Sequence, residues 1–320
     1  MNESIGVPPG FRDVLFDEAR ARRKAESKLA AVFSEAGYRE IVPSSIEYFE
    51  TYLRGDRNMQ DKVYRFLNRD DVLLALRADF TLSVARIAAT RLLNSPPPYR
   101  LWYCGSVFRK ADSARGHYKE VTQVGAELLG INSVKSDAEI LSVALQCLDE
   151  LGFDDVQLHL NHAGIFRGIV DSLGLEPGAL QQVKSELDRK DMRALASRLR
   201  QLGVDKETAQ HIDLLSRSIG NEDVLAEAEQ TIGTPASKSA LAELRQLSEK
   251  LLKWKDKITF DLTEIDEMEY YTGMFFTFFS PKLKSELGRG GRYDGVLANF
   301  GVPMPAVGFS FSMEELVRLA

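Results

Sequence analysis

The alternation of hydrophobic and polar positions changes period several times along the chain, and each change predicts an element. Residues 16–36 carry Ala25, Leu29, Val32 and Ala36 at helical spacing, with Gly37 behind them as a stop. Residues 38–42 read as a strand ended by Pro43. Further strands are predicted over 72–76, over the aromatic and aliphatic run 99–108, and over 121–129, with a helix at 83–93. Residues 137–151 carry the next helical pattern, closed by Gly152. From about Ile165 to Lys255 the period is helical throughout; Met192, Leu195, Leu199 and Leu202 share one face, as do Leu244, Leu247 and Leu251. Strand signals return over 258–262, 274–279 and 307–311, and a last helix runs from Ser312 to Leu319. Strands, then helices, then strands of the same character predict an α+β chain. Residues 1–164 and 256–320 would share one sheet-based core, and 165–255 would be a helical insertion.

Composition narrows the class. The 320 residues are 44% hydrophobic and 28% charged, which excludes a chain too polar to bury a core. No uncharged apolar run approaches the ~18 residues of a membrane span, and no secretory signal opens the chain. The 41 basic against 47 acidic residues argue weakly against nucleic-acid binding as the main task. Cys104 and Cys147 stand 43 positions apart with no C-x-x-C pair, so they read as buried thiols in a reducing compartment. A cytoplasmic protein is expected. His159 and His162 have no Cys or further His near in sequence to complete a metal site, and none is expected.

Four polar clusters lie in or beside strands. Arg77, Asp79 and Thr81 follow the apolar run 72–76 directly. Phe108 and Arg109 end one strand, and Gln123, Gly125 and Glu127 alternate along the next, so their side chains share one face. Two acceptors flanking a glycine suit a pocket floor for an ammonium or imidazole N–H; the same pattern also suits a solvated sheet edge. Tyr270 and Tyr271 precede the aromatic strand 274–279, and adjacent strand residues point to opposite faces, so only one of them would line a given wall. Residues 288–295, Gly-Arg-Gly-Gly-Arg-Tyr-Asp-Gly, permit either a close backbone approach to a ligand or a turn at Asp294-Gly295. They lack the Lys and Ser/Thr of a phosphate loop. No covalent nucleophile motif is present.

Taken in order, these clusters resemble the catalytic core of the histidyl-tRNA synthetases, a class II aminoacyl-tRNA synthetase family. The resemblance rests on Pro9-Gly10-Phe11-Arg12-Asp13, on Pro43, and on Leu76-Arg77-Ala78-Asp79-Phe80-Thr81. It continues through Phe108-Arg109 to Glu127, Tyr270-Tyr271-Thr272-Gly273, the segment 290–295 and Pro305-Ala306-Val307-Gly308-Phe309. It implies a dimeric α+β core with an antiparallel sheet flanked by helices. It also implies a histidine pocket made by Asp79, Thr81, Arg109, Gln123, Glu127, Tyr270 and Tyr271. Four positions depart from the family pattern: Ala111 where an adenine-side Glu is expected, and His117, Asp266 and Glu315 where arginines are expected.

Asp266 and Glu315 reverse the charge beside a polyphosphate, where a unit pair at 4 Å is worth about 4 kcal/mol at an effective dielectric of 20. The resemblance therefore implies that adenylation is lost. The chain also ends just after the third-motif helix, so no anticodon-binding domain and no tRNA are expected. A kept histidine pocket with lost ATP chemistry resembles a paralogous family, the regulatory subunits of short-form ATP phosphoribosyltransferase. That resemblance implies no cofactor, no membrane and no catalysis by this chain itself. It implies a self-dimer within a hetero-octamer with a catalytic subunit, and histidine as effector of feedback inhibition in histidine biosynthesis. The competing expectations are a divergent synthetase or amino-acid ligase, and a stand-alone histidine sensor.

Overall fold

A computed structural model describes residues 5–55, 57–110, 118–173, 176–188, 192–264, 271–283 and 285–320. The elements, in chain order, are α1 (Phe16–Glu35), β1 (Arg39–Glu40), β2 (Ile46–Tyr48), α2 (Glu50–Gly55), β3 (Arg65–Leu67), β4 (Leu73–Leu76) and α3 (Thr81–Arg91). There follow β5 (Tyr99–Phe108), β6 (Glu120–Leu129), α4 (Val134–Leu151), β7 (Gln157–His162), α5 (Ala163–Leu173), α6 (Pro177–Asp188), α7 (Met192–Gln201) and α8 (Lys206–Leu215). The last are β8 (Ile219–Gly220), α9 (Glu222–Thr231), α10 (Pro235–Lys250), β9 (Ile258–Asp261), β10 (Met274–Phe279), β11 (Gly288–Arg292), β12 (Ala306–Ser312) and α11 (Met313–Leu319).

Local chemistry sets several boundaries. Gly37 takes φ +81° behind α1, a left-handed conformation that glycine adopts without steric cost. Ser133 and Ser136 form a reciprocal capping box at the start of α4, and Gly152 ends that helix at φ 80°. Thr234 caps α10, with Pro235 at its first turn.

The main sheet runs β1-β5-β6-β12-β11-β10-β7-β9-β8, and a small sheet runs β2-β4-β3. The main sheet is mostly antiparallel, as expected, but β1–β5 and β7–β9 pair in parallel, so it is a mixed sheet. Its strands alternate cleanly between two cores. Trp102, Val124, Ala126, Leu128, Phe276, Phe309 and Phe311 face a large core shared with α1, α4 and the helices that follow β7. Leu101, Tyr103, Leu129, Phe275 and Tyr293 face a second core with α3 and the 3-10 turn Leu297–Phe300.

Most expected elements are present within a few residues of their expected bounds. The stretch expected to be helical throughout departs from the expectation. It contains the short strand β8, which pairs with β9 and closes the sheet edge. Its helices pack into the core under the sheet: Ile169, Leu199, Ile212, Leu241 and Leu244 belong to the same buried cluster as Leu148 and Leu160. Besides β8, four strands have no counterpart in the pattern of the sequence. Of these, β2 and β3 are too short to carry a period, β7 exists through its pairing with β10 and β9, and β11 is mostly glycine and arginine.

The two histidines are structural. His159 Nδ1 lies 3.3 Å from Asp261, and His162 Nε2 lies 3.2 Å from Glu243. Cys104 and Cys147 are free thiols. Among the described residues no group of three or more His, Cys, Asp or Glu is placed to hold a metal ion, and no helix is long and apolar enough to cross a membrane.

Candidate functional site

The second face of the sheet carries a cavity of about 620 Å³ floored by β6, β12 and β11. Glu127 is its deepest acid. It pairs in register with Gly308 on β12, and Gly308 pairs with Gly291 on β11. A Cβ at position 308 would fall inside the Glu127 carboxylate, so glycine is required for the carboxylate to lie on the floor. A Cβ on Gly291 would stand 2.7 Å from the ring of Tyr271, which forms part of the wall. The floor between these residues is therefore bare backbone.

Glu127 is 1% exposed. It accepts hydrogen bonds from Thr81 Oγ1 at 3.3 Å, Tyr103 OH at 3.2 Å and Tyr293 OH at 2.5 Å. Burial pushes its carboxyl up to about 8, against the downward pull of the hydroxyls. Burial likewise raises the Tyr103 phenol, so it remains a donor. Tyr103 is held by stacking on Phe80 at 4.1 Å between ring centroids. Gln123 lies two pleats away on the same face, and its Oε1 is buried with no hydrogen-bond partner among the described residues. An orphaned buried acceptor in a cavity is suited to an N–H donor from a ligand.

The segment 77–81 is clamped from several sides. Arg77 donates to the carbonyls of Pro43 at 2.7 Å and Ser106 at 2.8 Å, and its guanidinium lies over the Phe80 ring. The amide of Ala78 donates to Tyr52 OH at 2.8 Å, and its carbonyl accepts from Arg109 Nε at 2.7 Å. Asp79 follows, accepting from the Leu82 amide at the start of α3 and lining the cavity. On β11, Arg292 enters the opposite side of the strand from Tyr293. It binds Asp137 through Nε at 3.0 Å and through Nη2, and reaches Asp294 at 3.0 Å and Ser136 Oγ at 3.0 Å. Asp294 then accepts from the Ala306 amide at 2.9 Å, which ties the turn to β12. The glycine-rich segment is thus both a strand under the cavity and, at Asp294-Gly295, a turn.

The structure brings together Asp79, Thr81, Arg109, Gln123, Glu127 and Tyr271 in this one cavity. It also answers the question left open for β6: Gln123 and Glu127 lie between β5 and β12 in the middle of the sheet, not on a solvated edge. Tyr270, Ala111, His117 and Asp266 lie outside the described residues. Glu315 is described, and it pairs with Arg318 at 2.9 Å rather than lining the cavity. Tyr103 and Glu264 also line it and were not singled out from sequence; Arg289 and Tyr293 line it from the glycine-rich segment, which the sequence marked without giving these two a role. The alternation of β5 would have placed Tyr103 beside Gly125, its partner in register.

The fold and the cavity define a class II synthetase core of the histidyl type: the sequence profile of the histidyl-tRNA synthetase family matches residues 10–316. A histidyl-tRNA synthetase from Nostoc shares the fold, with a TM-score of 0.82 at 21% identity over 98% of this chain and 74% of its own. An ATP phosphoribosyltransferase regulatory subunit from Moorella thermoacetica is 34% identical over 99% of this chain and 82% of its own length. One from Bacillus cereus is 30% identical over 97% of this chain and 75% of its own. A structure from Bacillus halodurans C described as a regulatory subunit/histidyl-tRNA synthetase superposes with a TM-score of 0.90 at 27% identity, covering 98% of this chain and 83% of that one. The chain belongs to the family of ATP phosphoribosyltransferase regulatory subunits, built on the histidyl-tRNA synthetase fold.

Proposed function

We propose that this chain binds histidine in the Glu127 cavity, activates a catalytic ATP phosphoribosyltransferase subunit, and carries feedback inhibition by histidine. The observation that supports this reading most directly is the set of buried acceptors on the cavity floor. Glu127, which burial holds neutral in the empty cavity, offers a carboxyl that a bound cation would ionise and pair with, and the unpartnered Oε1 of Gln123 offers an acceptor to an N–H. An ammonium and an imidazole match that demand. Tyr271, stacked on Phe275 at 5.8 Å, supplies an apolar wall for a ring.

In this reading the chain performs no chemistry of its own. Asp266 and Glu315 stand where the synthetase pattern has arginines, and Ala111 and His117 depart from it as well. Adenylation of histidine is accordingly lost. The chain self-dimerises, joins the catalytic subunit in a hetero-octamer in the cytoplasm, and acts by allostery. Histidine biases a two-state assembly by binding one state more tightly than the other, and the coupling is reciprocal.

The test is to mix the purified chain with a short catalytic subunit and follow phosphoribosyl transfer to ATP, with and without histidine. A rise in rate on mixing, reversed by histidine, is expected; no rise refutes the proposal. The synthetase alternative predicts histidine-dependent exchange of pyrophosphate into ATP by the chain alone, and that exchange is expected to be absent.

A further inference from the structure

The cavity has an acidic end and a basic end. Glu127 and Asp79 form the first. Arg289 on β11 pairs with Ser310 on β12 and with Thr277 on β10, and lies two residues from Gly291 along the same face. Since Glu127 pairs with Gly308 and Gly308 with Gly291, Arg289 stands two strands across and two residues along from Glu127. That places their Cα atoms on the order of 12 Å apart across β12, where Gly308 presents no side chain between them. An acid and a base lining one cavity at that span leave room for one small zwitterion.

Two other arginines near the site are committed, Arg77 to carbonyls and Arg292 to Asp137, while Arg109 is anchored through Nε to the Ala78 carbonyl on the far wall. Arg289 is held differently. Its Nε donates to Glu286 at 2.9 and 3.0 Å, and its Nη2 also reaches that carboxylate. The two side chains are 46% and 36% exposed, so this is a partly solvated pair of low net worth that another carboxylate can displace. Nη1 of Arg289 has no hydrogen-bond partner among the described residues. Lys62 and Lys119 also reach the cavity, but from the wall beside Arg109, and a lysine offers a point charge where a guanidinium offers a fork matched to a carboxylate.

We infer that Arg289 binds the α-carboxylate of the amino acid held in this cavity, exchanging Glu286 for the ligand, and so supplies the cation that Asp266 does not. The inference rests on the reading that the cavity holds an amino acid. Glu286 then acts as a resident competitor: it occupies the guanidinium when the cavity is empty and yields it to a ligand that brings both a carboxylate and a cation.

Calorimetric titration of the full chain with histidine and with histidinol, which keeps the ammonium and imidazole but has an alcohol for the carboxylate, tests this. Wild type is expected to prefer histidine, and Arg289→Gln to lose about tenfold or more of histidine affinity while histidinol binding stays the same or tightens slightly. Glu286→Gln, which removes the competitor, is expected to tighten histidine severalfold and leave histidinol unchanged. Both positions are partly exposed, and circular dichroism checks that the variants fold. If Arg289→Gln leaves the histidine-to-histidinol ratio at the wild-type value, or weakens both ligands equally, Arg289 is not the carboxylate partner and the histidine-pocket reading stands without it. If wild type binds neither ligand, the amino-acid reading of the cavity falls, and this inference falls with it.

Discussion

Glu127→Gln replaces one oxygen of a carboxyl group that is 1% exposed and surrounded by the hydroxyls of Thr81, Tyr103 and Tyr293. Burial holds this carboxyl at about 8 in the folded chain, whereas in the unfolded chain it titrates near ~4.3. A folded value above the unfolded one means that the group's contribution to stability is full below pH ~4 and is lost as pH rises toward 8. At about 1.4 kcal/mol per unit, the loss by pH 8 is on the order of 3–5 kcal/mol, the lower figure allowing for relaxation and water entry. Glutamine cannot ionise and escapes this loss. It offers one acceptor oxygen in place of two, which costs about 1 kcal/mol when the carboxyl is neutral. Ionisation of the unfolded chain has already cost the wild type about 1 kcal/mol by pH 5, so the two proteins should be close to equal there and the variant the more stable at pH 8. Urea unfolding of both proteins from pH 4.5 to 9 gives the difference directly, and groups remote from residue 127 cancel in it. A difference that does not change with pH would refute the reasoning, because it would mean that Glu127 is ionised, and paired, across the whole range.

Two further substitutions probe the frame around the cavity. Asp137→Ala leaves the buried guanidinium of Arg292 with Asp294, Ser136 and a carbonyl only, and should lower unfolding free energy by about 3 kcal/mol; a loss under about 1 kcal/mol would mean that the pair does not hold β11 to α4. Gly308→Ala puts a methyl group into the Glu127 carboxylate and within 2.8 Å of the Ala126 carbonyl, so a cost of about 3 kcal/mol or failure to fold is expected, and an unchanged urea midpoint would contradict the close approach of β12 to β6.

Elements with their own period were legible in the chain. The strands β5 and β10 fall where the aromatic and aliphatic runs placed them, because a buried strand must be apolar along its length wherever it pairs. Helix α4 was readable down to its terminal Gly152, because the αL end of a helix selects glycine. Strand β11 was not legible as a strand. Its Gly-Arg-Gly-Gly-Arg sequence has no strand preference, and it is extended because β10 and β12 supply hydrogen bonds on both sides. The same holds for β7, whose two histidines find their acidic neighbours only in the fold, Asp261 from β9 and Glu243 from α10.

The candidate site divides along the same line. Alternation along one strand was enough to put Gln123 and Glu127 on a common face, since side chains in a strand have a period of two. The order of motifs was enough to name the family to which the chain belongs. Whether that face was a solvated edge or a buried floor depended on β12, about 180 residues later in the chain, pairing against it and presenting glycine opposite Glu127. The hydroxyls of Tyr103 and Tyr293 meet that carboxylate from two different strands. Arg289 reaches the same cavity from a third position, paired with a glutamate only three residues away. Residue identity along the chain was sufficient for what each strand must bury. Which charges face one another across the sheet, and how far burial moves their protons, was decided only when distant strands came into register.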